Sequence, residues 1–177
     1  MTLLDQENAI FLIIDIQEKL LNAVYDKTIA QKAAKMAQAA SILGIPAIIT
    51  EQYPKGLGQT ISEIKDVAEA KYFEKTKFSA YDEIKDALKA TKRKQVLICG
   101  IEGHICVHQT TDSLLANGYQ VHVLKDITGS QNEFELEQGI NRMEKNGATI
   151  TCFEMALFEI LKSSKHPNFK DIQGLIK

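Results

Sequence analysis

Short apolar runs alternate along this chain with stretches of helical periodicity, which predicts an α/β fold on a parallel sheet. The runs are apolar almost end to end, as expected of strands buried on both faces. Six such runs suit a three-layer, doubly wound, six-stranded parallel sheet of order 3-2-1-4-5-6. The sequence has no internal repeat, low-complexity segment or linker, so residues 1–177 read as a single domain.

The first strand is Ala9 to Asp15, AIFLIID, a buried run that ends in a carboxylate. Gln17 to Val24 reads as a short helix or turn. Ile29 to Leu43 is a helix with Ala33, Met36, Ala37, Ala40 and Leu43 on one side, closed by Gly44. Pro46 to Thr50 is the second strand, with proline at its first position. Glu51 to Gln59 is a turn-rich loop, and Ile61 to Val67 holds a short helix. Lys71 to Glu74 is the third strand. Tyr81 to Thr91 is a helix with Ser79 as its candidate cap. Gln95 to Cys99 is strand four, His104 to Asn117 a helix ended by Gly118, and Val121 to Leu124 strand five. Phe134 to Lys145 is a helix, Ala148 to Thr151 strand six, and Glu154 to Lys162 a helix. Pro167 opens a last amphipathic helix with Phe169, Ile172, Leu175 and Ile176 on its apolar face.

Composition excludes several classes of function. Lysine and arginine number 21 against 23 acidic residues, so no basic excess points to nucleic acid or an anionic membrane. The apolar run Ala9 to Ile14 is too short to span a bilayer, and the N-terminus lacks the pattern of a secretory signal. Cys99, Cys106 and Cys152 form no CxxC pair, which fits a reducing, cytoplasmic setting. GxGxxG and GxxxxGK[ST] are absent, so no nucleotide cofactor is expected. His104 and His108 stand one helical turn apart but do not form HExxH, so no metal is expected either.

The doubly wound order makes strands one and four neighbours, and ligands bind at the crevice between their carboxyl ends. Asp15 ends strand one, and Cys106 follows strand four in the first helical turn. Unpaired N–H groups and the helix dipole favour a thiolate there. The plainer fate of a free cysteine is a small packed side chain. Asp15 could serve as a proton acceptor, or simply cap the next helix. Lys75 and Lys77 follow strand three and could stabilise a thiolate, or be ordinary solvated lysines. No histidine is placed for a Cys-His dyad.

Three motifs resemble a known family. Asp15-Ile16-Gln17 is similar to D-x-Q. Lys75 to Ala80 is similar to K-x-x-x-S-A. Gly100-Ile101-Glu102-Gly103-His104-Ile105-Cys106-Val107 is similar to G-[V/I]-x-T-x-x-C-V, with Gly103 in place of the frequent Thr. On these the chain resembles the isochorismatase-like cysteine hydrolase superfamily from about Ala9 onward. The segments Thr50 to Gly58 and His166 to Gln173 are similar to its domain-containing protein 1 and 2 group. The resemblance implies an Asp15–Lys75–Cys106 triad, with Lys75 rather than Lys77 as the lysine. It also implies a cis peptide between Ile101 and Glu102, and an oxyanion hole of the Glu102 and Cys106 N–H groups. Gln17, Glu51, Gln52, Tyr53, Ile101 and Gly103 flank these motifs and are the candidate pocket lining. Glu51-Gln52-Tyr53 lacks the histidine of the nicotinamidase metal motif, which disfavours that activity. Two readings stay open: a metal-free cysteine amidase acting on a small amide or ester through a thioester, and a pocket protein that binds a partner without turnover. A homo-oligomer, dimer or tetramer, is expected from the resemblance and from the apolar face of the last helix.

Overall fold

The computed structural model of the chain describes residues 3–177. Its strands are β1 (Ala9–Ile14), β2 (Ala47–Gln52), β3 (Ala70–Lys75), β4 (Gln95–Ile101), β5 (Gln120–Gly129) and β6 (Thr149–Thr151). They form one six-stranded sheet of order β3-β2-β1-β4-β5-β6, and every ladder is parallel. This is the doubly wound order that the sequence predicts.

Helices α1 (Glu18–Ala23) and α2 (Ile29–Ile42) join β1 to β2, and α3 (Pro54–Leu57) and α4 (Ser62–Lys65) join β2 to β3. Helix α5 (Tyr81–Thr91) leads to β4, and a π-helical turn (Gly103–Val107) runs into α6 (His108–Ala116) before β5. Helix α7 (Glu133–Lys145) precedes β6, and α8 (Phe153–Leu161) and α9 (Phe169–Ile176) follow it.

Strand alternation divides the interior in two. Phe11, Ile13, Ile49, Leu97 and Cys99 pack with α2, α8 and α9 on one face. Ile10, Leu12, Ile14, Ile48, Val96 and Ile98 pack with α5, α6 and α7 on the other. Every residue of β1 and β4 is buried, which explains their unbroken apolar runs.

Several local expectations differ from the structure. The helix predicted from His104 starts as a π-helical turn, in which the N–H of Val107 reaches the carbonyl of Glu102 at 3.3 Å. Strand β5 extends to Gly129 because, past an irregularity opposite Cys99, it rejoins β4 at Thr128. Pro167 lies before the first helical residue of α9, which is Phe169. Ala80, not Ser79, occupies the cap position of α5, although Ser79 Oγ still accepts from the Tyr81 N–H at 3.3 Å. The apolar face of α9 is not free for a partner: Ile172 is fully buried, and Phe169, Leu175 and Ile176 pack on the core of their own chain.

Candidate active site

The site forms at the carboxyl ends of β1, β2, β3 and β4. Strand β4 lies against β1 with Ile14 beside Gly100. The approach is so close that a Cβ on Gly100, whose φ is +150°, would fall 2.1 Å from the Ile14 carbonyl oxygen. Only glycine fits there. This contact brings the residue after β1 and the loop after β4 onto one crevice.

Asp15 is fully buried and adopts φ +54°, in the sparsely populated left-handed region. Its N–H donates to the Thr50 carbonyl at 3.1 Å, and its own carbonyl accepts from the Gln17 N–H at 2.8 Å. The backbone thereby turns the carboxylate into the crevice. Thr50 Oγ1 donates to Asp15 Oδ1 at 2.7 Å, and Lys75 Nζ lies 2.7 Å from Asp15 Oδ2. Neither of these two charged side chains is exposed. The contact between Oδ2 and Lys75 is one of charge rather than an aligned hydrogen bond, so Oδ2 keeps a free acceptor direction.

Lys75 enters from the end of the edge strand β3. Its Nζ also donates to Gln52 Oε1 at 2.6 Å, the Phe78 carbonyl at 3.1 Å and the Lys77 carbonyl at 3.3 Å. Lys77 is elsewhere: its Nζ pairs on the surface with Asp82 Oδ2 at 2.7 Å. The segment after Lys75 is tied to the helix that follows the nucleophile loop. The Ala80 N–H donates to Thr110 Oγ1 at 3.0 Å, and that hydroxyl donates to the Cys106 carbonyl at 2.7 Å. Ser79 Oγ and Ser113 Oγ lie 2.9 Å apart.

Cys106 is 4% exposed, in the π-helical turn. Burial pushes its thiol up to about 12, the Asp15 charge adds to this, and the Lys75 ammonium opposes it in part. Burial and the Asp15 charge thus favour the thiol, against the expectation that the helix terminus favours a thiolate. The Ile101–Glu102 peptide is also not cis, since no cis bond occurs among the described residues. The chain turns at Glu102 by adopting φ 58° and ψ 57° instead.

The remaining candidates divide between lining and bracing. Gln17 is fully buried, and its amide holds Gln52 N–H at 2.7 Å, the Gln52 carbonyl at 3.1 Å and the Gly58 carbonyl at 2.5 Å. Glu51 Oε1 accepts from the N–H and the hydroxyl of Thr60, both at 2.7 Å. The polar groups of these two residues are thus committed to the loop after β2. Tyr53 is 55% exposed and, with Pro54, Lys55, Glu74, Lys75, Thr76 and Glu83, lines a cleft of about 340 Å³. Ile101 is buried under the loop. Gly103 backs onto α7: a Cβ there would meet Leu136 Cδ1 and Thr128 Cγ2 at 2.9 Å, so the larger residue frequent in the motif would need those side chains to move. A larger groove of about 600 Å³ lies at the opposite end of β2 and β3, against Ala87 and Ala90, far from these groups.

Among the described residues no group of three or more His, Cys, Asp or Glu is arranged to hold a metal. His104 and His108 each have their own partners: His104 Nδ1 lies 3.0 Å from Ser130 Oγ, and His108 Nε2 lies 3.1 Å from Asp112 Oδ2. Among the described residues no helix is long and apolar enough to cross a membrane.

Residues 9–155 match the family model described as the isochorismatase domain. The chain belongs to the isochorismatase family. It is 37% identical over 171 residues to isochorismatase domain-containing protein 1 of Salmo salar, covering 95% of this chain and 60% of that protein. Thus the chain spans about three fifths of that relative's length. It is 35% identical to isochorismatase domain-containing protein 2 of Bos taurus, covering 96% of this chain and 83% of that protein. A secreted isochorismatase effector of Phytophthora sojae is 36% identical, over 96% of this chain and 85% of that protein. Among solved structures, the MAR1 ribonuclease of Caenorhabditis elegans superposes with a TM-score of 0.94 at 37% identity, covering 99% of this chain and 92% of that one. YcaC of Pseudomonas aeruginosa, solved with hexane-2,5-diol and covalent acrylamide, gives 0.92 at 27% identity, covering 98% and 91%.

Proposed function

We propose that this isochorismatase-family protein is a metal-free and cofactor-free cysteine hydrolase of a small amide or ester, working through a thioester on Cys106. The observation that carries this reading is the fully buried Asp15–Lys75 pair, 2.7 Å apart, whose charges act on the Cys106 thiol. A buried ion pair is a weak device for stability, because desolvation offsets most of its attraction. Beside a nucleophile it is a proton acceptor with its counter-charge built in.

In the proposed cycle Cys106 Sγ attacks the substrate carbonyl carbon as its proton passes to Asp15 Oδ2. Lys75 neutralises the charge that the thiol would otherwise have to develop alone. The Glu102 and Cys106 N–H groups receive the oxyanion. The tetrahedral intermediate collapses with cleavage of the C–N bond, and the proton on Asp15 goes to the leaving amine. Water, giving a proton to Asp15, then attacks the thioester carbonyl; the C–S bond breaks, the acid leaves, and Asp15 returns the proton to the Cys106 sulfur. Tyr53 and Gln52 are assigned to the substrate side, and Gln17 and Glu51 to support of the loop that presents them; Ile101 is buried and Gly103 packs against α7.

The C. elegans relative carries the name ribonuclease. For this chain a net charge of −2 gives little attraction for a polyanion, so a small amide is the preferred substrate class. We also propose self-association, here through exposed Leu3, Met155 and Phe158 rather than through α9. The free cysteines suit a reducing compartment.

The test is intact-mass spectrometry of the protein offered a panel of small amides, with RNA hydrolysis assayed in parallel. An acyl adduct on Cys106, absent in Cys106→Ala, supports the reading. RNA cleavage that persists in Cys106→Ala, without any adduct in the parent protein, sinks it.

A further inference from the structure

His104 lies two residues before Cys106 and takes no part in the proton transfers above. Its surroundings are nonetheless more constrained than those of a surface histidine. Nδ1 lies 3.0 Å from Ser130 Oγ, at the end of β5, and 3.7 Å from Glu102 Oε2. Nε2 lies 3.7 Å from Glu135 Oε2, in the first turn of α7. The backbone of His104 is held as tightly. A Cβ on Gly139 of α7 would fall 2.7 Å from His104 Cα and 3.0 Å from its nitrogen, so helix and loop meet backbone to backbone. The Cys106 thiol is governed by burial, Asp15 and Lys75. The imidazole lies among Ser130, Glu102 and Glu135.

Glu102 is the unusual residue of the loop. Its φ of 58° and ψ of 57° are left-handed, a conformation that a side chain with a Cβ rarely adopts unassisted. Its carbonyl accepts from the N–H groups of Ile105, at 2.9 Å, and Val107, at 3.3 Å, which folds the loop back on itself. The direction of the Glu102 N–H follows from this same turn. We propose that His104 is a positioning residue: its imidazole, hydrogen-bonded to Ser130 Oγ and, when protonated, in ion-pair range of the Glu102 and Glu135 carboxylates, holds the left-handed turn that aims the Glu102 N–H at the oxyanion. This rests on the cysteine-hydrolase reading, and it adds a role that the triad does not include.

Two reagents separate the roles. In acrylamide addition the S–C bond forms at the β carbon and the C=C π bond breaks. The thiol proton ends on the α carbon, and negative charge passes through the amide oxygen, where an oxyanion hole helps. With methyl methanethiosulfonate an S–S bond forms and methanesulfinate leaves. That reaction reports thiol activation and needs no oxyanion hole. Site-resolved mass spectrometry distinguishes Cys106 from Cys99 and Cys152.

For His104→Ala the expected result is an acrylamide rate at Cys106 lowered by about tenfold or more, since one oxyanion donor is typically worth a hundredfold, while the thiosulfonate rate stays within about twofold. His104→Gln, which keeps a donor toward Glu102, should recover part of the acrylamide rate. Glu135→Gln, at the surface of α7, should give a smaller loss in the same direction and guards against misfolding of the alanine variant. Equal loss with both reagents, or no loss with acrylamide in any of the three variants, overturns the proposal. Failure of the hydrolase reading has a different signature: Asp15→Asn would leave both rates unchanged.

Discussion

Asp15 and Lys75 neutralise each other inside the protein, and their separate removal should have different consequences. Lys75→Ala leaves the Asp15 carboxylate buried without its counter-charge. Loss of one partner of a buried pair costs about 3–5 kcal/mol. Urea unfolding should show that loss, together with slow Cys106 alkylation at pH 7. Asp15→Asn should cost less stability than Lys75→Ala, because Gln52 and the Lys77 and Phe78 carbonyls still accept from the Lys75 ammonium, but it should lower Cys106 alkylation by about 100-fold, because the proton acceptor is gone. Lys77→Ala should leave the urea midpoint unchanged, since its pair with Asp82 is exposed. If Lys77→Ala slowed alkylation and Lys75→Ala did not, the assignment of the lysine would be reversed. The Cys106 thiol adds a pH dependence. Between its ordinary value of 9.0 and the folded value of about 12, the unfolded chain releases a proton that the native state keeps. Stability should therefore be level from this group below about pH 9 and fall above it by up to ~1.4 kcal/mol per pH unit. Urea midpoints at pH 7, 9 and 10.5 should show a shallower fall for Cys106→Ala. Cys99, also raised by burial, leaves part of the slope in place.

At the scale of elements the decisive contact is β1 against β4. Gly100→Ala would drive a methyl group into the Ile14 carbonyl, and either the ladder or the loop after it must move. A loss of about 3 kcal/mol or more is expected, in the range of severe backbone clashes. Gly118→Ala, with φ +77° but open space around it, should cost only about 1–2 kcal/mol. Equal losses in chemical denaturation would mean that the close approach at Gly100 is not what fixes the site. The strands and long helices were legible because burial on two faces and one-sided helical burial leave period-specific patterns. The apolar run at β4 gave its position, and Gly44 and Gly118 marked helix ends. The π-helical turn at Gly103–Val107 was not legible, since one inserted residue in a helical ladder leaves no periodic trace. Nor were the supports: Thr50 and Thr110 are single hydroxyls in apolar or mixed segments, and only the fold shows that they hold Asp15 and the Cys106 carbonyl. Gln17 and Glu51 stood out in the sequence as polar residues near the site, but their atoms brace the loop.

At the scale of the whole molecule, sheet order places Asp15, Lys75 and Cys106 together although 60 residues separate the first two and 31 the last two. The order followed from the alternation of apolar strands with helices, whereas how deeply the sulfur is enclosed, which favours the thiol, leaves no pattern in the sequence. With a site built from one carboxylate, one ammonium and one thiol, chelators should change neither the melting temperature nor the rate of Cys106 labelling. Loss of labelling in chelator, restored by zinc, would show a metal requirement.

Lys75 rides on the last residue of β3, and β3 is paired on one side only. An unpartnered border strand is where a sheet first comes loose on warming. Should it peel away, the ammonium leaves with it while the two hydrophobic layers around β1 and β4 stay intact. The proposed chemistry is thus tethered to a border of the sheet. Warming should silence Cys106 several degrees before the far-ultraviolet circular dichroism changes, and cooling should restore it. Coincident loss of both signals would mean that the border strand is held as firmly as the centre.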